Sequence, residues 1–98
     1  MTQIRTIDAE EAIDYLSNND YYLLDVRSAE EFDSGHLDAA INIPVLEMHL
    51  RAHEIPLDKE IVVYCAHGVR SGKAAHYLLG SGFHKVSHIS GGIEAMNL

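Results

Sequence analysis

Cysteine is nearly absent: Cys65 is the only one in 98 residues. No disulfide can form within the chain, and a lone free thiol points to a reducing compartment. Basic residues are scarce as well, seven Lys and Arg against fifteen Asp and Glu, for a formal net charge of -8. The acidic excess is spread along the chain, whereas nucleic-acid binding needs a basic face that neutralises phosphates, so no nucleic-acid partner is expected. No apolar run approaches a membrane span, and the amino terminus MTQIRTIDAEE has no apolar core of signal-peptide length. No membrane association is expected, and the predicted location is cytoplasmic. Internal repeats, low-complexity tracts and linker-like stretches are also missing. One domain over residues 1–98 is expected, since a chain of this size buries roughly 60 to 65% of its unfolded surface, enough for a core without staples.

Against this background the stretch Ile61 to Ser71, IVVYCAHGVRS, stands out. Ile61 to Tyr64 is a continuous apolar run of β-formers, the pattern of a strand buried on both faces of a parallel sheet. Cys65 therefore ends a central strand, at the sheet edge where α/β proteins bind ligands and where the next helix directs its free N–H groups. Such N–H groups and neighbouring cations lower a cysteine pKa and expose the reactive thiolate. Gly68 lets the loop backbone curl into an anion-binding nest, and Arg70 supplies a fixed positive charge. Ala66, His67, Gly68, Val69 and Arg70 are thus candidate substrate-binding residues around a candidate nucleophile, Cys65. The competing reading makes Cys65 a small buried hydrophobe. A structural turn has no need of Cys, Gly and Arg in this order, which favours the reactive thiol.

The rest of the chain alternates strands and helices. Ile4 to Ile7 reads as a strand. Asp8 and Glu11 have capping-box spacing before a helix from about Ala9 to Ser17, with Asn18 and Asn19 suited to its end. Tyr22 to Val26 is a second strand, and Ser28 with Glu31 repeats the capping box for a short helix that stops at Gly35. Asp25 and Arg27 read as charges that pin this loop rather than as part of an active-site rim. HLDAAINIP, His36 to Pro44, returns to the sheet, and a helix from about Val45 to His53 follows. His49 and His53 stand four apart on it, but no third ligand is spaced to complete a site, so no metal is expected. Ser71 to Lys73 begins a helix whose apolar face is Ala74, Ala75, Leu78 and Leu79, terminated by Gly80 and Gly82. Lys85 to Ile89 is the last strand, and Gly91 and Gly92 make a turn before the tail, Ile93 to Leu98. This order predicts an α/β domain, an open, mainly parallel five-stranded sheet with helices on both faces and right-handed crossovers.

LLDVRSAEEFDSGHLDAAINIP resembles the amino-terminal signature of the rhodaneses, through Asp25, Val26, Arg27, Glu31, Phe32, Gly35, His36, Ala40, Ile43 and Pro44. The loop Cys65 to Arg70 resembles the six-residue active-site loop of single-domain rhodaneses, the thiosulfate sulfurtransferase family, and Gly91-Gly92-Ile93 resembles their carboxyl-terminal motif. Asp38 and Ala39 stand where Pro-Gly or a similar pair is usual, and Met96 stands for a common tryptophan. The resemblance covers almost the whole chain. It implies a rhodanese-like fold and a sulfurtransferase without cofactor. Its Cys65 would carry a persulfide from a small anionic sulfur donor, such as thiosulfate, to cyanide, a thiol or a sulfur-carrier protein. Arg70 would bind the donor's anionic end, and His67 would sit at the rim. Two other readings stay open. One is a cysteine phosphatase or arsenate reductase, whose loop is one residue longer than the four between Cys65 and Arg70. The other is a non-catalytic binding module of the same fold.

Overall fold

The computed structural model describes residues 4–18 and 20–96. Asn19 and the last two residues of the expected tail lie outside the described residues. Five strands, β1 (Ile4–Ile7), β2 (Tyr22–Asp25), β3 (Ile41–Asn42), β4 (Ile61–Tyr64) and β5 (Val86–Ile89), form one sheet in the order β1-β5-β4-β2-β3. Every pairing is parallel. The helices are α1 (Ala9–Asn18), α2 (Ala29–Asp33), α3 (Met48–Arg51) and α4 (Val69–Gly80), and a 3-10 turn, Ile93–Met96, closes the described chain.

Strand β4 lies at the centre and all four of its residues are buried. Side chains alternate along a strand. Accordingly Ile61, Val63 and Cys65 belong to the core on the α4 side with Ala74, Ala75 and Leu78, while Val62 and Tyr64 join Ala12, Leu37 and Met96 on the other. That parity delivers Cys65 to the underside of α4. Both expected capping boxes form: the Glu11 N–H donates to Asp8 Oδ1 at 2.8 Å and the Asp8 N–H to Glu11 Oε1 at 3.3 Å, and Ser28 and Glu31 exchange the same pair of bonds.

Two local expectations shift, and one departure from the family pattern takes an unusual backbone conformation. The segment from Val45 is not one helix: 3-10 turns, Val45–Glu47 and Ala52–Glu54, flank the single turn of α3. Only Met48 is fully buried within it, while Leu46 and Leu50 are 86% and 65% exposed, so too little packing supports a continuous helix. Helix α4 starts at Val69, two residues before the expected Ser71, because Gly68 takes φ 102° and serves as its N-cap. Ala39, standing where a Pro-Gly-like pair is usual, adopts φ 67°, a left-handed conformation that costs a non-glycine residue about 1 to 2 kcal/mol.

Among the described residues no helix is long and apolar enough to cross a membrane, and no three His, Cys, Asp or Glu side chains cluster as metal ligands.

The end of β2 is held by a buried ion pair. Asp25 is wholly buried and Arg27 nearly so. Arg27 Nη2 donates to Asp25 Oδ2 at 2.7 Å and to the Gly35 carbonyl at 2.8 Å, while Asn42 Nδ2 donates to the carbonyls of Asp25 and Arg27 at 3.0 Å each. The guanidinium also lies 5.6 Å from the Tyr64 ring centre. These charges pin the loop, as expected. Arg27→Met should lower stability by about 3 to 5 kcal/mol in urea denaturation, because it strands the Asp25 carboxylate in the core. A loss below about 1 kcal/mol would show that water reaches Asp25.

Candidate active site

The loop from Cys65 to Gly68 joins the carboxyl end of β4 to α4, and N–H groups of the loop and of the helix's first turn face one sulfur. The Gly68 N–H donates to Cys65 Sγ at 3.1 Å and the Ser71 N–H at 3.3 Å, and the His67 N–H also stabilises the sulfur's negative charge. Ser71 is the third residue of α4, so its N–H has no partner within the helix and is free for this use. The Ser71 hydroxyl lies 3.5 Å from the sulfur. Burial pushes the Cys65 thiol up, but the Ser71 hydroxyl and the N–H groups of Ser71, Gly68 and His67 outweigh it. The net shift is below the ordinary thiol range.

The loop is held from beneath by the carboxyl-terminal turn. The Ile93 N–H donates to the Cys65 carbonyl at 2.9 Å and the Glu94 N–H to the Ala66 carbonyl at 3.2 Å. Gly92, at φ 64°, sits so close that a Cβ there would fall 2.3 Å from the Cys65 carbonyl oxygen. A Cβ on Gly68 would fall 3.0 Å from the Gly91 nitrogen. Backbone meets backbone at both contacts, so both positions require glycine.

Arg70 does not stand free. Its Nη1 and Nη2 donate to Glu31 Oε1 and Oε2 at 2.6 and 2.9 Å, a bidentate pair between side chains about one third exposed. Its cation is stabilised first by Glu31 and less by the charge on Cys65. Val69 is 68% exposed beside it. Arg70 and Lys73 also line a cleft of about 410 Å³ with Val26, Ser28, Pro44, Val45 and Leu46. His67 is exposed.

Four residues of this arrangement were not singled out for it in the sequence. In the sequence Ser71 reads only as a helix start, Glu31 as a cap and family match, Gly92 as a turn residue, and His88, whose Nδ1 lies 3.2 Å from Ser71 Oγ, as part of a strand. Placing the start of α4 two residues earlier would have exposed Ser71, since its N–H then falls among the helix's unpaired donors. Nothing in the sequence marks His88.

The model of the rhodanese-like domain matches residues 8–98. The chain belongs to the rhodanese-like domain family. It is 36% identical over 94 residues to the thiosulfate sulfurtransferase GlpE of Pseudomonas syringae pv. syringae, covering 96% of this chain and 88% of that one. It is 40% identical over 72 residues to the uncharacterized protein YqhL of Bacillus subtilis, covering 74% of this chain. It is also 37% identical over 93 residues to the tRNA uridine(34) hydroxylase of Photorhabdus laumondii, covering 89% of this chain. The chain spans only 57% of YqhL and 26% of the hydroxylase. Among solved structures, the rhodanese-related protein of Thermoplasma volcanium superposes with a TM-score of 0.85 at 32% identity, over 95% of this rhodanese-like chain and 90% of that one.

The pair of Glu31 and Arg70 has a pH signature. The Arg70 guanidinium first, and then the Ser28 N–H and hydroxyl, hold the Glu31 carboxyl down from 4.5 to about 2 against a smaller rise from burial. A carboxyl depressed on folding contributes stability above its unfolded pKa and loses it as pH falls toward the folded one. Solvent screening at this exposure limits the contribution to about 1 kcal/mol. Glu31→Gln should therefore be less stable than the wild type by that amount at pH 7, with the gap closing between pH 4.5 and 2. Urea denaturation across that range checks it, and a gap that stays constant with pH would show that the ion pair contributes nothing.

Proposed function

We propose that this chain is a sulfurtransferase that carries a sulfane sulfur as a persulfide on Cys65. The observation that carries the reading is the convergence of the Gly68 and Ser71 N–H groups on Cys65 Sγ at 3.1 and 3.3 Å, beside the His67 N–H that also lowers the thiol's pKa. A nest of this kind stabilises a thiolate and then an anionic persulfide without a separate base. The thiolate attacks the outer sulfur of a small anionic donor such as thiosulfate. As the new S–S bond forms, the donor's own S–S bond breaks and sulfite departs with the electron pair. A second nucleophile, cyanide, a thiolate or a sulfur-carrier protein, then attacks the outer sulfur, and Cys65 leaves as the thiolate that began the cycle. The name of the Pseudomonas relative supports thiosulfate as a donor. The four-residue spacing between Cys65 and Arg70 makes a ring suited to one sulfur rather than to a tetrahedral phosphate. A free, acidified thiol fits a reducing compartment such as the cytoplasm.

Incubation with thiosulfate should raise the intact mass of the wild type by one sulfur atom, and cyanide or a thiol should remove it. Cys65→Ser should stay unloaded while remaining folded. A folded wild type that accepts sulfur from none of several donors would overturn the enzyme and leave a binding module.

Arg70 acts on the donor more than on the thiol, because Glu31 already occupies both of its terminal nitrogens and the amide nest supplies the acidification. One such charged interaction in a partly exposed site is worth about 1 to 3 kcal/mol, or one to two powers of ten in rate. Arg70→Ala should lower kcat/KM for thiosulfate by about that factor and make it less sensitive to salt, with Arg70→Lys recovering part. The pH midpoint for alkylation of Cys65 should move less than kcat/KM does. Unchanged steady-state kinetics for Arg70→Ala would make it a structural residue.

A further inference from the structure

The hydroxyl of Ser71 is wholly buried and has three neighbours: the Gly68 carbonyl oxygen at 3.1 Å, His88 Nδ1 at 3.2 Å and Cys65 Sγ at 3.5 Å. A hydroxyl has one proton to give, and a carbonyl only accepts. The three contacts therefore depend on one another. When Cys65 is a thiol, its S–H donates to Ser71 Oγ, and the Ser71 O–H donates to the Gly68 carbonyl or to His88 Nδ1. When Cys65 is a thiolate, the Ser71 O–H turns to the sulfur. The one neighbour then able to donate to Ser71 Oγ is His88, with its proton on Nδ1.

The fold puts the ring there for local reasons. His88 lies on β5, paired with Thr6 of β1 and Val63 of β4, and alternation sends it to the α4 side, opposite Ile89. The ring lies over Gly72, where a Cβ would meet His88 Cε1 at an ordinary contact distance of 3.7 Å. Thr6, Val63 and Gly72 carry no charge. The titratable groups that face His88 are Cys65, through Ser71, and His76 on α4, and burial first, then His76, lowers the pKa of the ring.

We propose that Ser71 and His88 form a proton relay through which the buried Cys65 thiol ionises, with His88 as a positioning residue that holds the thiolate. The thiol proton passes to Ser71 Oγ as the Ser71 proton passes to His88 Nδ1, and the Nε2 proton of the ring leaves to water. Cys65 loses one proton, water gains one, Ser71 and His88 stay neutral, and no bond between heavy atoms changes. The relay also answers a steric fact: Cys65 is 1% exposed, whereas His88 is only half-buried.

The proposal rests on Cys65 reacting as a thiolate, as in the function proposed above, yet its test needs no sulfur transfer. Iodoacetamide alkylation of Cys65 is followed against pH in the wild type, His88→Leu, His88→Asn, Ser71→Ala and the Ser71→Ala/His88→Leu double variant. His88→Leu should raise the midpoint by about 0.5 to 1 pH unit, the size of shift one neutral hydrogen bond produces. His88→Asn, whose side-chain amide can donate from near the Nδ1 position, should recover most of it. The double variant should shift no further than Ser71→Ala, because both changes cut one chain. In nitrogen-15 spectra of the wild type, the His88 proton should move to Nδ1 as Cys65 ionises, a reading that survives even where His88→Leu fails to fold. An unshifted midpoint in folded His88→Leu, additive shifts in the double variant, or a ring that keeps its proton on Nε2 throughout would overturn the relay. A protein that shows the relay's pH dependence but loads no sulfur would refute the transfer reading alone.

Discussion

Two backbone carbonyls, those of Cys65 and Ala66, are tied to the N–H groups of Ile93 and Glu94, and the candidate site depends on that restraint. With these acceptors engaged below the loop, the donors of the same stretch are left to face the sulfur. An anion nest needs this separation, because a carbonyl turned inward would repel the thiolate that the amides attract. The restraint in turn requires Gly92, where any side chain would intrude on the Cys65 and Ala66 backbone. The cysteine's surroundings are thus fixed in part by residues from the far end of the chain. They reach it because β5 pairs with β4 and ends beside it.

The opposite wall is built from the amino-terminal third. The buried pair of Asp25 and Arg27 fixes the end of β2, and Arg27 reaches the Gly35 carbonyl past α2. Ser28 caps α2 and holds Glu31 Oε1 through its N–H and hydroxyl at 3.1 Å each. Glu31 then receives Arg70. A chain of charge-assisted contacts therefore runs from the sheet edge to the loop. Part of it is buried and stiff and part is exposed and weak. The exposed link is the one at which a donor anion would compete for the guanidinium.

The α/β architecture was legible because its signals are local. Ile61 to Tyr64 has no polar residue to interrupt a buried strand, and two capping boxes mark two helix starts. The misread segments are those where a remote contact overrides local pattern. Gly68 begins α4 early because its left-handed φ lets the chain turn against Gly91, and no propensity encodes that. The stretch from Val45 has residues that favour helix, yet it breaks into short turns because its leucines find nothing to pack on. For the site, the Cys, Gly and Arg of the loop could be read from their order. Glu31, Gly92 and His88 could not be joined to it by spacing, since 34, 27 and 23 residues separate them from Cys65. Only strand order brings them in.

The pairing of Arg70 with Glu31 has a bearing on how acidic the thiol should be. Nucleophilicity toward sulfur falls as thiol pKa falls, with a Brønsted coefficient of about 0.4 to 0.5, and the best attacking thiol has a pKa near the ambient pH. A nest of amides joined by an unpaired guanidinium would drive Cys65 further down, leaving it fully ionised but sluggish. It would also hold an anionic persulfide so well that transfer to an acceptor slows. Burial opposes the amides in this site, and Arg70 is paired with both carboxylate oxygens of Glu31 rather than left unpaired. In the function proposed above, both would keep the thiolate basic enough to attack. They would also leave the guanidinium within reach of the proposed anionic donor, which would have to approach a chain of net charge -8. In the sulfur-transfer reading proposed above, pairing with Glu31 would limit the acidity of the nucleophile, while Arg70 would remain the positive charge that an incoming anion meets first.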